Sequence, residues 1–372
     1  MRTVKILSII GTRPEVIKMA PVLLEMRKHT DRITSILVST AQHREMLDQI
    51  LRVFDLKPDI DLNIMKPNQT LSHITTAALS GIERVIQEMN PDVVLVQGDT
   101  TTVFAASLAA FYCRVPVGHV EAGLRSFDKF NPYPEEINRR LTDVVTDYYF
   151  APTAGARANL LNEGIADDRI HVTGNTVIDA LLHALERPFS FNHHRELNKI
   201  LTGEGRILLV TAHRRENWDA PLESICEALK TLVIHFPDLN VIYPVHLNPK
   251  VRNTVHQVLN ETSRIHLIEP VDYLTFVNLM KRAHLILTDS GGVQEEAPSL
   301  GKPVLVMRNV TERPEAYETG VARIVGTEAD HIVREASRLL KDEHAYRAMA
   351  RVENPYGDGR ASERIIQVLL QR

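Results

Sequence analysis

The chain has 372 residues, 44% of them hydrophobic and 24% charged, with a formal net charge of −4. That length exceeds what one hydrophobic core usually serves, so two domains are expected. Near-neutral charge without a basic block or stripe argues against nucleic-acid binding, but leaves small anions open, because these need only a few cations or helix N-termini.

The apolar stretch before Gly11 is too short for a signal peptide or a membrane span. It reads as a buried first strand, and the expected location is the cytoplasm. Strand-length apolar runs near 4–10, 33–38, 93–97, 116–120, 148–150 and 169–173 alternate with longer helical patterns. That alternation marks a parallel sheet with crossover helices. Residues 185–204 are polar and irregular, and are expected to form a surface insertion or linker. A second series follows at 206–211, 240–245, 265–268, 284–288, 303–306 and 322–325. The expected fold class is therefore α/β, with two doubly wound domains in series. Cys113 and Cys226 lie far apart without metal-type spacing and read as reduced thiols.

Ligands of open α/β sheets sit outside the carboxyl ends of strands, and the unusual residues of this chain cluster there. Gly11-Thr12-Arg13-Pro14-Glu15 follows the first strand. Thr12 and Glu15 have capping-box spacing, and Pro14 suits a first helical turn. The resulting helix N-terminus, with Arg13 beside it and Lys18 one turn on, suits a phosphate; the alternative is a plainly capped surface helix. Gly98-Asp99-Thr100 ends the third long strand, where an Asp is often only an N-cap. Glu121 ends the next strand, too near the sheet core for casual surface charge. Glu135 and Glu136 open a helix, where acids complement the helix dipole, so a purely structural role for one of the two is the alternative. Asp99, Glu121 and Glu135 lie on successive connections and are candidates to converge for general acid/base work. No His/Cys set with metal spacing accompanies them, and acids alone do not argue a Mg²⁺ site.

In the second half His213 follows the first strand and His246 the second. Ser290-Gly291-Gly292 then forms a small-residue turn into a helix, able to present amides to a diphosphate. Glu296 lies one turn on, within reach of a ribose hydroxyl pair. Thr311-Glu312-Arg313-Pro314-Glu315 echoes the first motif.

Together these segments resemble the non-hydrolysing UDP-N-acetylglucosamine 2-epimerases. The likeness runs through Thr40 to Met46, Gly98 to Thr102, Gly118 to Arg125, Pro134 to Arg139, Gly174 to Asp179, His213 to Glu216, Pro244 to Pro249, Asp289 to Met307 and Asn354 to Gly359. It implies a GT-B type fold: two facing Rossmann-like domains with the active site in the interdomain cleft. The first domain would span 1–170 plus 358–372 and carry the catalytic acids; the second, 171–357, would bind UDP. Ser290, Gly291 and Gly292 would cradle the diphosphate and Glu296 the ribose. Arg13, Lys18, His213 and Arg313 would hold phosphate or sugar, with Phe276 and the backbone at Val271 lining the uracil pocket.

The implied reaction is C2 epimerisation of UDP-GlcNAc to UDP-ManNAc, by elimination of UDP to 2-acetamidoglucal and re-addition. Asp99 and Glu121 would transfer protons, with Glu135 in support and His213 at the leaving group, leaving open which acid serves which face of C2. The resemblance further implies no NAD or metal, a homodimer, and an activator UDP-GlcNAc near Gln42, His43, Arg44, Glu136 and His246. The competing readings are a relative acting on a UDP-diacetamido-uronic sugar, a glycosyltransferase of the same fold, and an inactive nucleotide-sugar sensor.

Overall fold

The computed structural model describes residues 3–40, 44–64, 66, 69–309 and 313–371, with the side chains of 44–46 left aside. The chain divides into two compact units, Met1–Ala184 with Tyr356–Arg372, and Leu185–Pro355.

The first unit is built on β1 (Val4–Ile10), β2 (Ile33–Ser39), β3 (Ile60–Asp61), β4 (Val93–Gln97), β5 (Val117–Val120), β6 (Tyr148–Ala151) and β7 (Ile170–Val172). They form one sheet in the order β3-β2-β1-β4-β5-β6-β7, every neighbouring pair parallel. Helices cover both faces, so central strands need no polar side: Ile6, Leu7, Ile9 and Ile10 of β1 and Val93–Val96 of β4 are all buried. Strand order reverses between β1 and β4, and that reversal opens a crevice at their carboxyl ends.

The second unit repeats the plan with β8 (Arg206–Thr211), β9 (Leu239–Pro244), β10 (Ile265–Ile268), β11 (Leu285–Thr288), β12 (Val304–Val306) and β13 (Ala322–Ile324). The order is β10-β9-β8-β11-β12-β13, again all parallel, with the reversal between β8 and β11. Its core gathers Leu208 and Val210 of β8, Tyr243, Leu285, Leu287, Leu305 and the inner faces of the flanking helices.

The two-residue β3 carries too little pattern to be expected from sequence. The expected boundary at 170/171 shifts to 184/185 for a physical reason. β7 pairs with β6, and Asp179 in the helix Thr176–Glu186 accepts the first amides of the final helix, Ala361 N at 3.2 Å and Ser362 N at 2.8 Å. That cap anchors the last helix, Ala361–Leu370, which packs on the helix Arg13–Arg27. The polar stretch expected as a linker instead holds a 3₁₀ turn at Phe191–His193 and a helix at Arg195–Thr202. Leu197 and Leu201 of that helix are buried, and Arg282 Nη2 donates to Leu201 O at 2.7 Å. Its apolar positions are three, Leu197, Ile200 and Leu201, too few to announce a helix in the sequence. Among the described residues no helix is long and apolar enough to cross a membrane.

Candidate active site

At the first reversal, Gly11 leaves β1 where a Cβ would lie 2.5 Å from Thr40 Oγ1 and 2.7 Å from Thr102 Oγ1, so only glycine lets β1, β2 and β4 close together. Glu15, buried beneath this turn, does more than cap its helix. Its Oε2 accepts Gly11 N at 2.5 Å and Thr12 N at 3.2 Å, and its Oε1 accepts Thr100 Oγ1 at 2.5 Å. One carboxylate thus ties the end of β1 to the end of β4. Burial pushes its pKa up to about 7 against the pull of the Thr100, Gly11 and Thr12 hydrogen bonds.

Glu121 ends β5 with φ +70, a left-handed conformation that costs an L residue about 1–3 kcal/mol. Three donors hold its carboxylate: Lys18 Nζ pairs with Oε1, Asn175 Nδ2 reaches Oε1 at 3.0 Å and Gln97 Nε2 reaches Oε2 at 2.6 Å. A Cβ at Gly98, itself at φ +82, would lie 3.8 Å from Glu121 Oε2, so this carboxylate sits over the turn that carries Asp99. Asp99 is gripped from the helix Glu135–Val144, with Arg139 Nη2 on its Oδ2 at 2.6 Å and Asn138 Nδ2 on its carbonyl at 3.0 Å. The first sheet therefore brings Asp99, Glu121 and Lys18 together.

Glu135, half-buried, opens the same helix. Its neighbour Glu136 is buried and accepts Ser126 N at 2.9 Å and Phe127 N at 3.2 Å. Both its oxygens thus fasten the loop after β5, which is local architecture. On the inner face of this helix Asp143 meets His119 of β5 at 2.7 Å and Arg125 at 2.6 Å. Burial alone would raise the Asp143 pKa, but the charges and hydrogen bonds of His119 and Arg125 hold it below the usual carboxylate range.

At the second reversal, Asp289 ends β11 fully buried. Its Oδ2 accepts His213 N and Arg214 N at 2.8 Å each and Asn217 Nδ2 at 3.1 Å. His213 Nδ1 lies 3.1 Å from Oδ1, an arrangement that orients the ring by one nitrogen and leaves Nε2 for a ligand. Burial works to raise the Asp289 pKa, yet the His213 contact and the two amides hold it low. The His246 ring stacks on His213 at 5.6 Å between centroids. Ser290 makes no side-chain cap on the short helix Gly291–Glu296. A Cβ at Gly292 would lie 3.6 Å from Glu296 Oε1 and 4.0 Å from Ser290 Oγ. The open helix end, the two glycines and the acid thus form one cradle. Tyr273 donates its hydroxyl to Glu296 Oε2 at 3.2 Å. Phe276 lies half-buried on the helix that Tyr273 begins. Arg313 pairs with buried Glu295, and Asn354 Nδ2 holds the Glu295 carbonyl at 2.8 Å.

Arg13 takes up the first position of its helix as expected. Of the activator residues, Gln42, His43 and the side chain of Arg44 lie outside the described residues, as do Thr311 and Glu312. Glu136 belongs to the first unit and His246 to the second. Sequence reasoning passed over Glu15, Gln97, His119, Asp143, Asn175, Tyr273 and Asp289. Most make their contacts across more than twenty residues of chain, and only Glu15 carried a local signal, its capping-box spacing. Among the described residues no group of His, Cys, Asp and Glu is arranged to hold a metal ion.

Comparison with known proteins gives one consistent answer. The model of the family described as UDP-N-acetylglucosamine 2-epimerase matches residues 25–370. The UDP-N-acetylglucosamine 2-epimerase of Escherichia coli (strain K12) is 53% identical over 369 residues, covering 98% of each chain. That of Bacillus subtilis is 51% identical over 370 residues, covering 100% of this chain and 96% of the relative. Among solved structures, the UDP-GlcNAc 2-epimerase of Neisseria meningitidis bound to UDP-GlcNAc superposes with a TM-score of 0.89 at 50% identity. That match covers 99% of this chain and 100% of the other.

Proposed function

The chain belongs to the UDP-N-acetylglucosamine 2-epimerase family, and we propose that its first unit carries the proton transfers of that reaction while its second holds the UDP. The enzyme interconverts UDP-GlcNAc and UDP-ManNAc. The C2 hydrogen of the sugar is not next to a carbonyl, so its removal needs a leaving group rather than a stabilised carbanion. A base takes the C2 proton, the C1–O bond to UDP breaks, and a C1=C2 double bond forms, giving 2-acetamidoglucal. UDP oxygen then adds back to C1 while an acid delivers a proton to the opposite face of C2. No electrons leave the substrate, so the balance calls for no hydride acceptor, and neither NAD nor a metal is assigned a role.

Asp99 and Glu121 are the proton-transfer groups and Glu135 supports them. The observation that carries this reading is the Glu121 carboxylate, set over the Asp99 turn in a left-handed backbone and held by Lys18, Gln97 and Asn175. Such strain persists where surrounding contacts overdetermine it, most often at functional sites. Ser290, Gly291, Gly292 and their helix N-terminus take the diphosphate, Glu296 the ribose, and Phe276 the uracil side. His213, steered by Asp289, serves the departing oxygen, with Arg13, Lys18 and Arg313 supplying positive charge to phosphate or sugar. Two further assignments complete the proposal: a homodimer, and a cytoplasmic enzyme, in keeping with two free cysteines. A second UDP-GlcNAc acting as activator belongs to the same reading.

Proton NMR of the purified protein with UDP-GlcNAc in D₂O, without NAD, metal or acceptor and with chelator present, tests it. UDP-ManNAc carrying deuterium at C2 is the expected product. No conversion in excess UDP-GlcNAc would hand the assignment to a related UDP-sugar.

A further inference from the structure

The ring of His119 is completely buried on β5. Its Nε2 lies 2.7 Å from the carbonyl oxygen of Gly98, and its Nδ1 lies 2.7 Å from Asp143 Oδ1. A carbonyl oxygen only accepts hydrogen bonds, and an ionised carboxylate does the same. A neutral imidazole has one N–H, so it would leave a lone pair facing an oxygen at one of these two short contacts. Only a ring protonated on both nitrogens satisfies both. We propose that His119 is a buried imidazolium, with Asp143 as its counter-ion, and that it is a positioning residue for Asp99.

The surroundings balance that charge. Asp143 Oδ2 also accepts Arg125 Nη2, and Arg125 makes a two-pronged pair with Glu163 at 2.8 and 2.7 Å. Two cations, His119 and Arg125, thus face two anions, Asp143 and Glu163. Arg140 approaches Glu163 at 3.7 Å from the exposed side, and Tyr149 of β6 donates its hydroxyl to the Asp143 carbonyl at 2.7 Å. A buried charge persists when it is paired and hydrogen-bonded in this way.

The consequence for Asp99 is geometric. Gly98 O belongs to the peptide that joins Gly98 to Asp99, so His119 fixes the tilt of that peptide. The helix bearing Asp143 also bears Arg139 and Asn138, which hold the Asp99 carboxylate and carbonyl. His119 therefore closes a ring that runs from Gly98 through Asp143 and its helix back to Asp99. This inference rests on Asp99 being a proton-transfer group, as proposed above.

The test uses the whole enzyme labelled with ¹⁵N-histidine, with the His119→Gln protein assigning the resonance. At neutral pH the His119 ring is expected to show two protonated nitrogens; a singly protonated ring overturns the charge assignment, whatever the variants do. His119→Gln and Asp143→Asn are then assayed as folded proteins. The expected result is kcat lowered roughly 10- to 100-fold with KM and UDP affinity within about threefold, since a small misplacement of a reacting group is costly. Unchanged kcat overturns the positioning role. Asp99→Asn assayed alongside separates the two ideas: if it is fully active, the role of Asp99 fails, while the nitrogen spectrum still decides the state of His119.

Discussion

The two units share one topology and set their acids differently. In both, the sheet reverses between its first strand and the fourth, and in both a buried acid joins the loops at that point. In the first unit the acid is Glu15, and the strand ends around it present further carboxylates, Asp99 and Glu121, each gripped by cationic or amide side chains. In the second unit the acid is Asp289, turned inward to hold the His213 loop, so that the crevice presents amides and a helix N-terminus. On the proposed reading, the first crevice serves proton transfer through Asp99 and Glu121, and the second, with its acid turned inward, serves as an anion cradle.

The sharpest way to break this division is Asp99→Asn. It is expected to lower kcat roughly a thousandfold while leaving UDP affinity, measured by calorimetry, unchanged. Weakened UDP binding would mean that the first unit also holds the nucleotide.

The second test compares the two inward acids by pH. Glu15 moves from the ordinary 4.5 to about 7 in the fold, so the folded protein keeps a proton that the unfolded chain has released. Stability is therefore fully present below about 4.5 and falls as pH rises through about 7, by about 3 kcal/mol in total. Glu15→Gln is expected to flatten the slope of urea unfolding free energy across that window. Asp289, held low, acts in the opposite sense: its contribution is present above the ordinary carboxylate pKa and is lost as pH falls. An unaltered slope in Glu15→Gln would remove Glu15 as its source.

Glu296→Ala sharpens the comparison from the other side. Losing the Tyr273-supported carboxylate is expected to weaken UDP binding by about 2 kcal/mol, roughly thirtyfold. At saturating substrate the rate of C2 deuterium exchange should hold; a parallel collapse of exchange would contradict the division of labour. Asp179→Ala gives the smallest effect and serves as control. It uncaps the final helix and is expected to lower thermal stability by about 1 kcal/mol, with kcat and UDP affinity intact.

The strands of both units were legible because a strand covered on both faces is a continuous apolar run, and runs such as Val93–Gln97 and Arg206–Thr211 stand out from helical spacing. The helix Arg195–Thr202 was not, since its two buried leucines make too short a pattern. The candidate site was legible as far as strand ends mark it: Asp99, Glu121, His213 and Ser290–Gly292 each follow an apolar run directly. Asp143 was hidden inside a helix of otherwise ordinary charge, and Tyr273 looked like any core aromatic.

The amino-acid sequence by itself therefore determined the alternation of elements, the two-unit α/β plan and the acids at the strand ends, because hydrophobic period and turn chemistry are local properties of the chain. Only the tertiary structure decided which acids lock loops and which are held by side chains. Glu15 and Glu136 fasten backbone amides, Glu121 is held out by three side chains from three different segments, and His119 reaches both Gly98 and Asp143. A carboxylate's role is set by the donors that surround it, and for Glu121 these include Lys18, 103 residues away, and Gln97, 24 residues away, brought in only when the sheet closes.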